Sequence, residues 1–283
     1  MTILKTDYFN LQQIADSGQC FRMLPLQGSE PGYSVVSRGR YLEIYQQEET
    51  LTLHCPEKEI LYWQDYFDLN TDYASMIASI DPKDTYLTQA AACGKGIRIL
   101  RQEPWEMIIT FVISQQKTIP AIQSLVETLC RRYGTLLNEK TNAFPSPEQL
   151  NEASLEDLQA LKLGYRAKYI KRICEDACCG ILDLEYLESL DYKGSMDYLQ
   201  TFYGIGEKVA NCVCLFSLHH IDAFPVDTWI HKILLREYAP RCRGIKKVPQ
   251  TRVCETLIHK YFSRYKGYAG VMQQYMFYYE RCC

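Results

Sequence analysis

The chain has 283 residues, 47% of them hydrophobic and 23% charged, with a formal net charge of −3. This is the composition of an ordinary globular protein long enough for two moderate cores, so two lobes are expected. No apolar run reaches the ~18–20 residues that cross a bilayer, and MTILKTDYFN has no basic region followed by an apolar one, so a cytoplasmic protein without a signal peptide is expected.

In chain order, GQCFRM (18–23) is a plausible first strand. From Tyr33 to Cys55 the period is two: Tyr, Val, Ile and Thr alternate with polar residues, and turns fall at Arg38-Gly39-Arg40 and Gln47-Glu48-Glu49. This predicts an antiparallel meander of about three strands. After Asp72 the spacing becomes helical. EPWEMIITFVISQQ (103–116) opens with Pro104 in a favoured first-turn position, and IPAIQSLVETLCRRYG (119–134) is amphipathic and stops at glycine. Segments 146–153 and 154–164 start with Ser146-Pro147 and Ser154, and Asp157 completes a capping-box pattern in the second. Helices are also expected over 166–180, 225–237 and roughly 268–281. The fold class is therefore α+β, a small antiparallel sheet lobe with helices (1–95) followed by a large all-α lobe (96–283).

Thirteen cysteines are scattered along the chain with no metal-ligand spacing, and with no secretory signal they are expected to remain thiols. Adjacent pairs such as Cys178–Cys179 do not suit a four-thiolate site, so no metal is expected. Charge is unevenly shared. Residues 1–160 hold 13 Lys+Arg against 21 Asp+Glu, and residues 161–283 hold 18 against 13. A basic half joined to an acidic one can meet a polyanion through one face.

MDYLQTFYGIGEKVANCVCLF predicts two helices joined by a Gly-Ile-Gly turn, a hairpin at about 195–219. Gly204 and Gly206 would let the chain turn sharply and let a phosphate approach the N–H groups that open the second helix, as in a grip on a DNA backbone. Any glycine turn between helices reads the same way. Lys208 lies in the first turn of that helix, where the dipole disfavours a cation, with Cys212 one turn on. Burial there would yield a neutral amine nucleophile, whereas a solvated position would make Lys208 an ordinary surface residue. Asp227, in AFPVDTW, is read as a helix N-cap, and it follows Lys208 by 19 residues.

These motifs resemble the 8-oxoguanine DNA glycosylase/AP lyase branch of the helix-hairpin-helix-GPD superfamily, as a bacterial-type member. The resemblance runs over nearly the whole chain, through SGQCFRM, GIRILRQEPWE, FVISQQKTI, LGYRAKYI, GIGEKVANCVCL, FPVDTW and YAGVMQQYMF in that order. It implies a bifunctional enzyme that flips oxidised guanine out of duplex DNA, with Lys208 as Schiff-base lysine and Asp227 as catalytic aspartate. It implies base recognition by Gly18, Gln273 and Phe277, and Cys212 is read with them because it lies one turn from Lys208. Gln116 would fill the gap left by the flipped base, Tyr165 would be a wedge supported by Arg166, and Lys117 and Trp229 would lie at the DNA. No cofactor, a double-stranded DNA partner, a monomer and a nucleoid-associated cytoplasmic location go with it.

Two positions depart from the family pattern. Ala121 stands where mammalian members carry an arginine that reads the opposite cytosine, and Trp229 where they carry a histidine, so a relaxed opposite-base preference is expected. The four-cysteine iron–sulfur spacing of a related branch is absent, since only Cys242, Cys254, Cys282 and Cys283 follow Cys214. The readings weighed against this one are an alkylation-repair glycosylase, which ISQQ (113–116) suits but which lacks the lysine, and a non-catalytic helix-hairpin-helix module.

Overall fold

The computed structural model describes residues 1–28 and 30–283. Strands β1 (Thr2–Lys5), β2 (Met23–Pro25), β3 (Gly32–Ser37), β4 (Arg40–Gln47) and β5 (Thr50–His54) form one antiparallel sheet in the order β1-β5-β4-β3-β2. The three-strand meander stands where the alternation put it. Val35, Leu42, Ile44, Leu51 and Leu53 are buried on one face, against Trp63, Tyr66 and Phe67. That face and the aromatic residues packed on it supply most of the smaller core.

Two sheet details differ from expectation. β1 was not anticipated; it pairs with the open edge of β5, from Thr2 opposite Leu53 to Lys5 opposite Thr50. The strand expected at 18–23 begins only at Met23, because the preceding residues are tied to the helical lobe instead. The buried Gln19 amide accepts from the Leu100 N–H and donates to the Arg98 carbonyl, so a side chain satisfies backbone groups that a strand would have paired.

The helical lobe is built around Pro104–Ser114, buried from Pro104 to Ile113. Glu207–Phe216 packs against it, with the Phe111 and Phe216 rings stacked at 5.7 Å. The anticipated capping box forms between Ser154 and Asp157, and Ser146, expected only as a helix entry, makes a second one with Gln149. The helix expected over 225–237 is α-helical only over Thr228–Ile233 and continues as a π-turn over Leu234–Tyr238. The short helix Ile60–Tyr66, the helix Val253–Phe262 and the small hairpin of Leu136–Asn138 with Thr141–Asn142 were not anticipated. Among the described residues no helix is long and apolar enough to cross a membrane.

The closing helix, Ala269–Cys282, lies along Thr85–Cys93, where the Tyr86 and Tyr279 rings meet edge-on at 5.6 Å. This packing brings the Cα atoms of Cys93 and Cys283 to 6.9 Å.

Asp68 anchors the loop that leads to Asp227. It accepts hydrogen bonds from Thr71, Tyr73 and Arg101, and His219 Nε2 stands 3.1 Å from its Oδ2. Burial alone would raise the Asp68 pKa, but His219, Thr71 and Tyr73 outweigh it and hold it at about 2. The folded-state pKa is depressed, so this stabilisation is present above the unfolded value of ~3.9 and is lost as pH falls towards 2.

Candidate active site

The hairpin forms as its sequence suggested. Tyr192–Leu199 leads through a turn to Glu207–Phe216, and Tyr192 donates to Asn211 Oδ1 across the two helices at 2.6 Å. Gly204 has φ +91°, and a Cβ there would strike the Tyr169 ring, so the protein itself requires glycine. Gly206 is different. Its backbone is extended and a Cβ would meet open space, so nothing inside the protein demands a glycine at this helix entry.

Lys208 is half-buried in the first turn, between the solvated and the buried alternatives. Its Nζ lies 3.4 Å from Ser114 Oγ and 5.0 Å from the centre of the Phe111 ring. Burial pushes the Cys212 thiol up, Lys208 pulls it down through a hydrogen bond and its charge, and Asp227 pushes it up again. The charges of Lys208 and Asp227 thus both reach the Cys212 thiol. Asp227 is the N-cap of Thr228–Ile233, and its Oδ1 accepts from the N–H groups of Trp229 and Ile230 at 3.0 and 2.8 Å. Its Oδ2 makes no hydrogen bond among the described residues.

Gly18 has φ +76°, and a Cβ there would come within 3.0 Å of Phe277 and 3.2 Å of Ile119. Residues 259 positions apart in sequence are brought together at this point, and Gln274 donates to the Ser17 carbonyl beside them. Gln273 is buried, and its Oε1 has no hydrogen-bond partner among the described residues. An unpaired buried acceptor costs ~1–3 kcal/mol, which a ligand donor would recover.

Gln116 and Lys117 are exposed just past Ser114, and Gln116 has φ +53°. Tyr165 is exposed, whereas Arg166 is buried, its guanidinium donating to the carbonyls of Gln115 and Leu163. Its charge is spent on the protein and not held out to a ligand. Trp229 is exposed with the Lys232 ammonium 5.4 Å from its ring centre, and Ala121 is half-buried. Ser114, Gln115, Tyr169 and Tyr203 were not singled out from sequence. ISQQ (113–116) carries a family likeness, but nothing in its spacing says which residues its side chains touch.

Residues 2–108 match the family described as 8-oxoguanine DNA glycosylase, N-terminal domain, and residues 109–264 match the HhH-GPD superfamily of base excision DNA repair proteins. The chain belongs to the HhH-GPD superfamily. Within it, the N-glycosylase/DNA lyase of Saccharomyces cerevisiae is 32% identical over 75% of this chain, which spans 60% of the yeast protein's length. Two solved structures follow the superfamily fold closely, each with a TM-score of 0.87 and 99% of this chain covered. One is MBOgg1 with a low-affinity DNA ligand, at 32% identity over 94% of that chain. The other is the Clostridium acetobutylicum 8-oxoguanine glycosylase/lyase with double-stranded DNA containing cytosine opposite 8-oxoguanine, at 30% identity over 98% of that chain.

Proposed function

We propose that this chain, acting as a monomer, releases 8-oxoguanine from double-stranded DNA and then cleaves the strand at the resulting abasic site. The observation that carries the proposal is a half-buried Lys208, held against Ser114 and Phe111, at the mouth of a hairpin whose Gly206 is a glycine for no internal reason. A phosphate approaching the helix start would need that open space. The base is drawn from the stack into the junction between lobes 1–95 and 96–283, where Gly18 meets Phe277. Phe277 stacks on the base plane, and the unpaired Gln273 Oε1 accepts from N–H groups on its edge. The Gly18 carbonyl accepts the N7–H that 8-oxoguanine has and guanine lacks.

Lys208 Nζ attacks C1′ as the glycosidic bond breaks. The bonding electrons leave with the base, and the free oxygen of Asp227 stabilises the positive charge that grows on the sugar. The attacking amine gives up a proton, the sugar ring opens to a Schiff base, and loss of a 2′ proton expels the 3′ phosphate. Gln116 fills the gap in the duplex and Tyr165 wedges the other strand.

Truncating Gln273 or Phe277 to alanine is expected to lower affinity and turnover on 8-oxoguanine duplexes by ~1–3 kcal/mol each, with little change in affinity for an abasic analogue. A large fall in melting temperature with lesion selectivity intact would make them core residues instead.

Single-turnover base release from four duplexes differing only in the base opposite 8-oxoguanine tests both the activity and its selectivity. Ala121 has no donor and the Arg166 charge is spent internally. The preference for cytosine over adenine is therefore expected to be weaker, by roughly 5- to 150-fold, than a bidentate arginine would supply. Ala121→Arg should restore part of it, chiefly by slowing the other opposite bases. No release from any duplex would end the functional proposal, and a steep cytosine preference in the unmodified protein would end the reading of Ala121 alone.

A further inference from the structure

Four elements meet where the central helix Pro104–Ser114 ends. Gln115 leaves the helix in an extended conformation, and its carbonyl, one of those a helix end leaves unpaired, accepts from Arg166 Nε at 2.9 Å and also from Nη2. A cation at a helix C-terminus is favoured by the dipole as well. The Gln115 side chain points the other way, and its Nε2 donates to the Gly204 carbonyl in the hairpin turn at 2.9 Å. On either side stand Ser114, whose Oγ touches Lys208, and Gln116, a non-glycine residue held at φ +53°. Such a conformation persists only where its surroundings enforce it.

An aromatic ladder runs parallel to this polar link. The Arg166 guanidinium lies 4.5 Å over the Tyr165 ring, which meets Tyr169 edge-on at 5.6 Å, and Tyr169 meets Tyr203 at 4.8 Å and 90°. Tyr169 is also the ring that a Cβ on Gly204 would strike. Wedge and hairpin are therefore joined twice, through Gln115 and through Tyr169. The side chain of Gln115 is half-exposed, so it adds little to the core.

We propose that Gln115 is a positioning residue that couples the Tyr165 wedge to the Gly204 turn, and through that turn to the helix start carrying Lys208. The inference rests on Lys208 being the nucleophile. When the opposite strand presses Tyr165, Arg166 moves with it, the Gln115 carbonyl follows, and the side-chain amide draws the turn into register. The amine then reaches C1′ only when the duplex is seated on the wedge. This would keep a reactive lysine from attacking DNA that is not fully engaged.

Side-chain substitutions isolate the link, because the main-chain bond to Arg166 survives them. Gln115→Glu is nearly isosteric but faces the Gly204 carbonyl with an acceptor, and Gln115→Ala removes the group and serves as the second variant. Both are expected to slow single-turnover release of 8-oxoguanine by roughly 10-fold, as small misplacements of a reacting group do, while affinity for a duplex with a tetrahydrofuran abasic analogue stays within about 3-fold. The deciding measurement is a double-mutant cycle with Tyr165→Ala. Adding Tyr165→Ala to Gln115→Glu should cost at least about 3-fold less than it does in the unmodified protein. Multiplicative effects, or an unchanged rate in both Gln115 variants, would overturn the inference. Borohydride trapping separates the two levels: Gln115 variants should still reach the full cross-link more slowly, whereas a Lys208→Gln protein that cross-links as well as the unmodified one would remove the nucleophile assignment itself.

Discussion

Replacing Lys208 with glutamine is expected to abolish both base release and the borohydride cross-link to 8-oxoguanine DNA. Glutamine nearly preserves the length and polarity of the side chain but has no basic amine, so the bond to C1′ cannot form. Lys208 is half-buried, and its amine makes only a long hydrogen bond to the Ser114 hydroxyl and a 5.0 Å approach to the Phe111 ring, so its loss removes little packing. The fold and the hairpin glycines remain, and affinity for an abasic duplex should persist. Removing a covalent nucleophile elsewhere has cost on the order of 10³-fold or more, which sets the scale for single-turnover release. The check pairs trapping yield with release rate on one lesion duplex. Full-yield trapping by the mutant would assign the Schiff base to another amine. Release that continues without trapping would point to attack by water, as in the alkylation-repair reading.

Asp227→Asn is expected to lose roughly 10²-fold or more in release rate while keeping its affinity for DNA. Asparagine is as good an N-cap as aspartate, and the cap uses only Oδ1, on the N–H groups of Trp229 and Ile230. The substitution should leave the helix entry intact and remove only the charge that Oδ2 offers to the developing cation. Melting temperature, abasic-duplex affinity and single-turnover rate, measured together, separate the two roles. If affinity and melting temperature fall in step with rate, Asp227 is a structural cap and the charge on the sugar is stabilised by something else.

Local signals carried much of the fold. Ser146 and Ser154 were readable as helix starts because each capping box spans three residues and its energy is local. The strands from Gly32 to His54 were readable because one buried face imposes a period of two. β1 carried no such signal, since four residues with exposed Ile3 become a strand only when β5 offers an edge. Ile60–Tyr66 lacked one as well. Its entry residue, Glu59, makes no side-chain cap bond, and its burial is set by the sheet above it. GQCFRM looked like a strand because its apolar content suits one. The Gln19 amide overrode that pattern through partners some eighty residues away.

The site divides along the same line. The sequence by itself determined that a lysine stands in the first turn of a hairpin helix and that an aspartate opens a helix 19 residues on, because caps, turns and helix phase depend on near neighbours. Only the tertiary structure decided that Gly18 faces Phe277, that the Arg166 charge is spent on the distant Gln115 carbonyl, and that Gln115 bridges wedge and hairpin. Each of those outcomes is a competition between long-range partners for one donor or one cavity. Which partner wins depends on how entire helices pack, and no window of a few residues contains that information.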